Sequence, residues 1–457
     1  MSSIGLREWN TTTPERGREF CGPVGEKKRV VSIDVLRGFA SLGILVMNIQ
    51  SFAMVGAVYD NPTAYGDLSG GNFVVWLLSH LLADQKFISI FSMLFGAGIV
   101  LMWQRAESSG ASPTRLHYRR MGWLILFGLL HAYLLWYGDI LYTYGICGFF
   151  VYLLRRRTPR TLILCSLVLA MIGSLIAIGL GLFWVPHLSP GMKAEFIEGW
   201  QPSPQTINEE LTAYRGSWIA QMSQRVPTAF EIETSLFLRL YAWKVSSLML
   251  LGMALFKLGA FHARWSRRQY LSLVGAGLLV GIPITLFGVI QNFAKHWDLS
   301  YSFYLGAQYN YWGSYLIALG WIGLIMLWCR SPWAPALKER IAAVGRTAFS
   351  NYILQTVICT TIFYGHGFGY FEKVPRTGQI LLVFAIYMAE LVIAPLWFRH
   401  FQFGPLEWLW RSLTSGKRQP FVAIGVSVRP SRDRVQNDIF FAQSKQDGEG
   451  TRRGLVR

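Results

Sequence analysis

The chain has 457 residues, of which 52% are hydrophobic and only 15% charged, and its formal net charge is +18. A soluble domain carries about a quarter charged residues, and here the apolar residues come in blocks of roughly twenty, the length a helix needs to cross hydrocarbon. Composition therefore excludes an ordinary soluble enzyme. With no basic soluble module to hold it, the positive excess reads as membrane topology rather than nucleic-acid binding.

In chain order, residues 1–29 form a polar, cytoplasmic N-terminal segment ending in "EKKR", with no cleavable signal peptide. Apolar segments follow at about 33–57, 87–104, 121–137, 140–154 and 161–184, then at 239–261, 270–291, 311–329, 346–364 and 379–398. Each is expected to be helical, because lipid offers no partner for backbone N–H and C=O groups. The expectation is an all-α, polytopic integral membrane bundle of about ten transmembrane helices. It has an N-terminal membrane half at 30–184 with five spans, an extracytoplasmic loop at 185–238, and a C-terminal half at 239–415 with five more. The basic, polar tail at 416–457 is expected to be disordered.

The stretch 73–104 would run roughly 48 Å as one helix, too long for a modestly tilted span. "ADQKF" interrupts it, so an interfacial helix "NFVVWLLSHLLAD" is expected before a span that begins at Phe87. The 186–238 segment opens on "VPHLSPGM" and reads as one or two amphipathic helices able to cap a cavity.

Loop charges set the orientation. Lys27, Lys28 and Arg29 precede the first span, and Arg105, Arg115, Arg119 and Arg120 follow the second. "RRRTPR" at 155–160, "ARWSRRQ" at 263–269 and "RSPWAPALKER" at 330–340 continue the alternation, as cytoplasmic loops do. The intervening loops lean acidic, with Glu195, Glu198, Glu209, Glu210, Glu231 and Glu233 in the long one. Both termini are thus expected in the cytoplasm, with the chain multi-pass in the bacterial inner (plasma) membrane. Five cysteines (Cys21, Cys147, Cys165, Cys329 and Cys359) have neither metal-type spacing nor a disulfide framework, so no metal site is expected.

Ionisable residues inside spans are costly and usually line an interior path. Asp34 and Arg37, three apart, share a helical face near the cytoplasmic end of the first span. They form either a local ion pair or a phosphate-binding site, a geometry that suits a guanidinium fork. Asp84 and Lys86 stand at the outer mouth of the second span, and "LFGAG" supplies Gly96 and Gly98 for close helix contact. His131 lies roughly 9 Å beneath the outer surface, and Asp139 sits in the turn that follows. Eight residues do not make neighbours on a straight helix, so a meeting of the two requires either a break at Gly138 or another helix. Such a pair would form a general base with a fixed tautomer. Asn351 and Gln355 share a face, either as interhelical contact or as cavity lining. Glu390 is expected to pair with Lys244, and Glu407 with Arg411 to lie on an interfacial helix anchored by Trp408 and Trp410.

The stretches "IDVLRGFASLGILVMNIQSF", "KFISIFSMLFGAG", "GDILYTYGICG", "LMLLGMALFKLG", "GRTAFSNYILQT" and "GPLEWLWR" resemble, in order, the signatures of YeiB-like bacterial membrane proteins. The resemblance runs from about residue 30 to 415 and includes that family's C-terminal domain. It implies a further likeness to transmembrane acyltransferases, which pass acyl groups from cytoplasmic acyl-CoA to a glycan across the membrane. On that analogy acyl-CoA is a donor substrate, with no cofactor bound permanently, and the acceptor is a hydroxyl or amine of a cell-envelope glycan or lipid. His131 and Asp139 become catalytic candidates, and Arg37, Asp34, Lys86, Asn351 and Gln355 substrate-binding candidates. The bilayer is the environment and a homo-oligomer is compatible with the chain. Two other readings use the same residues: a transporter or exporter of a small anionic solute, and a non-catalytic envelope protein. The lack of two related halves with paired broken helices counts against the transporter.

Overall fold

A computed structural model describes residues 30–108, 110 and 112–422 of the chain. The N-terminal segment 1–29 and the tail beyond 422 lie outside the described residues. Those described fold into helices joined by turns, with no β-strand among them.

Among the described residues, seventeen α-helices run in chain order. The first group is α1 Val31–Ala53, α2 Gly70–Leu82, α3 Lys86–Ser108, α4 Pro113–Leu134, α5 Leu141–Val151 and α6 Pro159–Gly179. Three helices then fill the expected extracytoplasmic loop: α7 Pro190–Trp200, α8 Pro204–Arg215 and α9 Met222–Glu231. The rest are α10 Ala242–Lys257, α11 Arg267–Ala276, α12 Ile282–Ala294, α13 Ala307–Arg330, α14 Pro335–Arg346, α15 Ala348–Phe363, α16 Arg376–Trp397 and α17 Pro405–Ser415. Wide, π-type turns at Ile232–Tyr241 and Gly277–Gly281 fuse α9 to α10 and α11 to α12. Among the described residues, seven helical stretches are long and apolar enough to cross a membrane. The shorter apolar helices Leu141–Leu154 and Ala348–Phe363, together with the Arg-bearing α4, account for the other expected spans.

Local chemistry sets these boundaries. Ser189 and Ser203 each precede a proline and accept the N–H of Met192 and Thr206, so the "SP" pairs start α7 and α8. The cap region thus holds three helices where one or two were expected. Between α2 and α3 the chain breaks at Ala83–Gln85, and Gln85 adopts φ 62°, a left-handed conformation that ends one helix and re-aims the next. The overlong hydrophobic stretch is therefore divided as its length demanded.

Packing is tightest where glycines let backbones touch. A Cβ on Gly96 would run into the Met249 carbonyl, and one on Gly252 into the Met93 carbonyl, which locks α3 against α10. Gly98, two residues on, has open space beside it. Gly38 and Gly345 make the same kind of contact between α1 and α14, against the carbonyls of Ile341 and Asp34. That crossing brings Arg37 and Arg346 to one end of the bundle.

Candidate functional site

α4 ends one turn after His131, whose carbonyl accepts both the Leu135 and Trp136 N–H groups at 2.9 Å. The chain then turns sharply, with Asp139 N–H on the Tyr137 carbonyl at 2.9 Å. Gly128 permits α5 to return against α4, since a Cβ there would lie 2.7 Å from Asp139 Oδ2 and collide with the Tyr142 nitrogen. The turn folds Asp139 back beneath the imidazole, and His131 Nδ1 meets Asp139 Oδ1 at 2.9 Å. Asp139 Oδ2 accepts the Tyr142 N–H at 2.7 Å, a carboxylate at the start of α5 where the helix dipole favours it. On its other side, His131 Nε2 lies 3.0 Å from Thr356 Oγ1 on α15. With an ionised Asp139 accepting Nδ1–H, Nε2 is left as the acceptor and the Thr356 hydroxyl donates to it. The result is a carboxylate–imidazole–hydroxyl chain.

That chain is dry. His131 is 2% exposed and Asp139 6%. The Tyr352 ring packs with its centroid 5.0 Å from the imidazole, and its hydroxyl donates to the Gly138 carbonyl at 3.2 Å. Trp136 lies edge-on at 6.2 Å. Glu233, on the wide-turned segment after α9, is within electrostatic range of Asp139 and hydrogen-bonding reach of Tyr133. It is 5% exposed and its Oε1 has no hydrogen-bond partner.

A cavity of about 370 Å³ leads to this chain from the end where α1 begins. Its mouth carries Arg37, Arg105, Arg120, Arg346 and Arg411. Aromatic faces hold three of these forks: the guanidinium carbon is 4.1 Å from the Trp410 ring for Arg120, 3.5 Å from Phe398 for Arg346 and 4.7 Å from Phe403 for Arg411. Arg37 pairs with Asp34 at 3.0 Å and reaches the Gly345 carbonyl at 3.5 Å. The other rim carboxylate, Glu407, accepts the Phe349 and Ser350 N–H groups at 2.7 and 3.1 Å and so caps α15. Among the described residues, five guanidinium groups and two carboxylates line this partly stacked rim, and planar guanidinium forks suit phosphate. Deeper in, Phe91, Leu94, Met121 and Leu124 line an apolar bore that Gly98 helps keep open. The cavity ends at Tyr144, Ile140, Leu141 and Tyr352, so the Tyr352 ring stands between it and His131.

The structure thus brings His131 and Asp139 together, and gathers Asp34 and Arg37 at the cavity mouth. It sets the other candidates elsewhere. Lys86 is fully buried, donating to the His80 carbonyl at 2.6 Å and Asn310 Oδ1 at 2.5 Å. Asn310 in turn donates to Asp84 at 2.6 Å, and His80 Nδ1 meets the same carboxylate at 3.1 Å. Neither Asn351 nor Gln355 lines the cavity; Asn351 donates to the Val344 carbonyl at 3.4 Å and Gln355 to Glu390 Oε1 at 2.9 Å. The expected Glu390–Lys244 pair does not form. Gln355 serves only Oε1 of Glu390, whose buried Oε2 has no hydrogen-bond partner among the described residues, while Lys244 donates to Gln85 and to Ser314 at 2.9 Å and sits over the Tyr311 ring at 4.6 Å. Sequence reasoning missed Thr356, since hydroxyls are common and cheap in membrane helices. It also missed Arg120, which read only as loop charge, and Arg346, which fell at the start of an expected span.

Helices of this length and apolarity, wrapped around buried ionisable groups, define a polytopic α-helical membrane protein. A family profile described as "Protein of unknown function (DUF418)" matches residues 255–417. The chain is 29% identical to "Uncharacterized protein YeiB" of Escherichia coli (strain K12) over 398 residues, covering 87% of this chain and 99% of that protein. It is also 29% identical to "Uncharacterized protein YxaH" of Bacillus subtilis (strain 168) over 413 residues, covering 87% of this chain and 97% of the relative. A protein encoded in the amylase 3' region of Bacillus acidopullulyticus is 25% identical over 405 residues, covering 88% of this chain and 98% of the relative. The chain is thus similar to the YeiB-like proteins over nearly the whole of their length.

Proposed function

We propose that this protein is a membrane acyltransferase that takes an acyl group from cytoplasmic acyl-CoA and delivers it to an extracytoplasmic hydroxyl or amine of an envelope glycan or lipid. One observation carries the reading: an arginine-rimmed cavity narrows to an apolar end, and the ring closing that end packs against a buried histidine held by an aspartate. The CoA phosphates match the guanidinium rim, and the acyl thioester matches the apolar bore. The basic loops share the side of the bundle that carries Arg37, which supports a cytoplasmic donor mouth and cytoplasmic termini in the bacterial plasma membrane. His131 acts as general base through Nε2, and Asp139 holds its tautomer and stabilises the imidazolium that forms.

The test is binding of CoA and acetyl-CoA to the full chain in lipid nanodiscs, read by calorimetry. Both are expected to bind, and Arg120→Ala or Arg37→Ala to weaken binding about tenfold or more, the worth of a charge-assisted hydrogen bond. No CoA binding overturns the reading. Uptake of a labelled anion into proteoliposomes with no thioester requirement replaces it with the exporter.

A further inference from the structure

We infer that Thr356 carries the acyl group between the two sides of the membrane, as an ester on its Oγ1; this rests on the transferase reading. The hydroxyl is 1% exposed and has two partners, His131 Nε2 at 3.0 Å and the Tyr352 carbonyl at 3.2 Å. Because Asp139 fixes the imidazole proton on Nδ1, the single hydroxyl proton goes to the nitrogen, which is the arrangement that activates an alcohol as a nucleophile. Position strengthens the case. Tyr352 lines the inner end of the donor cavity, and Thr356 is one turn further along the same helix, about 6 Å beyond it. Donor and acceptor approach from opposite faces, and neither His131 nor Thr356 opens onto the cavity. A covalent stop between the two lets each half-reaction proceed without both substrates touching. Cys359, three residues on, is also fully buried, but its side chain has no contact with the imidazole among those resolved.

The steps balance. With the Tyr352 ring swung aside, Thr356 Oγ1 bonds to the thioester carbonyl carbon as its proton passes to His131 Nε2. The carbon–sulfur bond breaks, and the CoA thiolate leaves with that proton. An acceptor hydroxyl or amine then gives its proton to Nε2 and bonds to the ester carbon. The carbon–oxygen bond to Thr356 breaks and the threonine oxygen recovers the proton. No electrons change hands with a third reagent.

The test uses the full chain in nanodiscs with radiolabelled acetyl-CoA or palmitoyl-CoA and no acceptor, quenched in acid and mapped by peptide mass spectrometry. A burst of about one CoA per chain is expected, the mark of an accumulating acyl-enzyme. The adduct should lie on Thr356 and discharge when glycerol is added as a probe alcohol. Thr356→Val keeps the shape and should lose the adduct and slow transfer about 1,000-fold or more; Thr356→Ser should restore both. Transfer by Thr356→Val within tenfold of the unaltered protein overturns the inference, and so does an adduct on His131 or Cys359. Sustained CoA release with no adduct on Thr356 also overturns it while leaving the transferase reading intact. A protein that neither binds nor cleaves acyl-CoA sinks both.

Discussion

Asp139 earns its burial through two bonds made by separate oxygens, one to the imidazole and one to the first turn of α5. Asp139→Asn keeps the shape but can present an amide N–H to Nδ1, which favours the wrong tautomer. We expect about 100- to 10,000-fold slower acyl transfer with CoA affinity retained, read by comparing turnover with calorimetric binding. His131→Ala should abolish turnover in the same assay. Gly128→Ala drives a methyl toward Asp139 Oδ2 and the Tyr142 nitrogen; overpacking of this kind costs about 1–3 kcal/mol, visible as a lower thermal midpoint. At this scale the sequence reveals whatever is costly in lipid. His131, Asp139 and Arg37 stand out because the bilayer penalises them. Thr356 does not, because hydroxyls are common and cheap in membrane helices. Glu233 reads as one loop acid among six, and only its fold position beside Asp139 distinguishes it.

Helices meet through a few backbone contacts that sequence marks only as small residues. The α1–α14 crossing holds Arg37 and Arg346 at one mouth because neither Gly38 nor Gly345 has a side chain. Gly345→Val is expected to wedge this crossing apart and weaken CoA binding about tenfold, with the protein still extractable as a monodisperse species on size-exclusion chromatography. The break between α2 and α3 was legible from length alone, since no modestly tilted helix accommodates 32 residues. α14 was not, because "RSPWAPALKER" is charged and proline-rich; yet Pro335 simply occupies the first turn, where its missing N–H costs nothing. The Ser–Pro starts of α7 and α8 were present in the sequence as well, but without periodic apolar faces long enough to count them.

Over the whole molecule, the alternation of basic and acidic loops and the apolar blocks suffice for the bundle, whereas the cap's attachment emerges only in three dimensions. Glu210 on α8 accepts the Gly56 N–H at 2.9 Å, and Glu372 the Val55 N–H at 2.6 Å, so two acids from distant loops grip the end of α1. Burial, with a smaller push from the Glu372 charge, raises Glu210 to about 7 against the pull of its hydrogen bond, and burial also raises Glu372. Between the ordinary carboxylate range and about pH 7, the docked cap holds protons that a released cap gives up. Raising pH through that window therefore loosens docking, and lowering it tightens docking. Amide protection over residues 204–215, corrected for intrinsic exchange, should rise about tenfold from pH 7.5 to 5.5, and Glu210→Gln should flatten that dependence. The imidazole, meanwhile, is shut in by one aromatic ring toward the cavity, Tyr352, and another, Trp136, tilted against Phe52 at 4.2 Å. A titratable ring wetted from both faces at once would conduct hydrogen ions and drain the cell's electrochemical gradient. The paired aromatic rings keep the imidazole from meeting water on both faces at once.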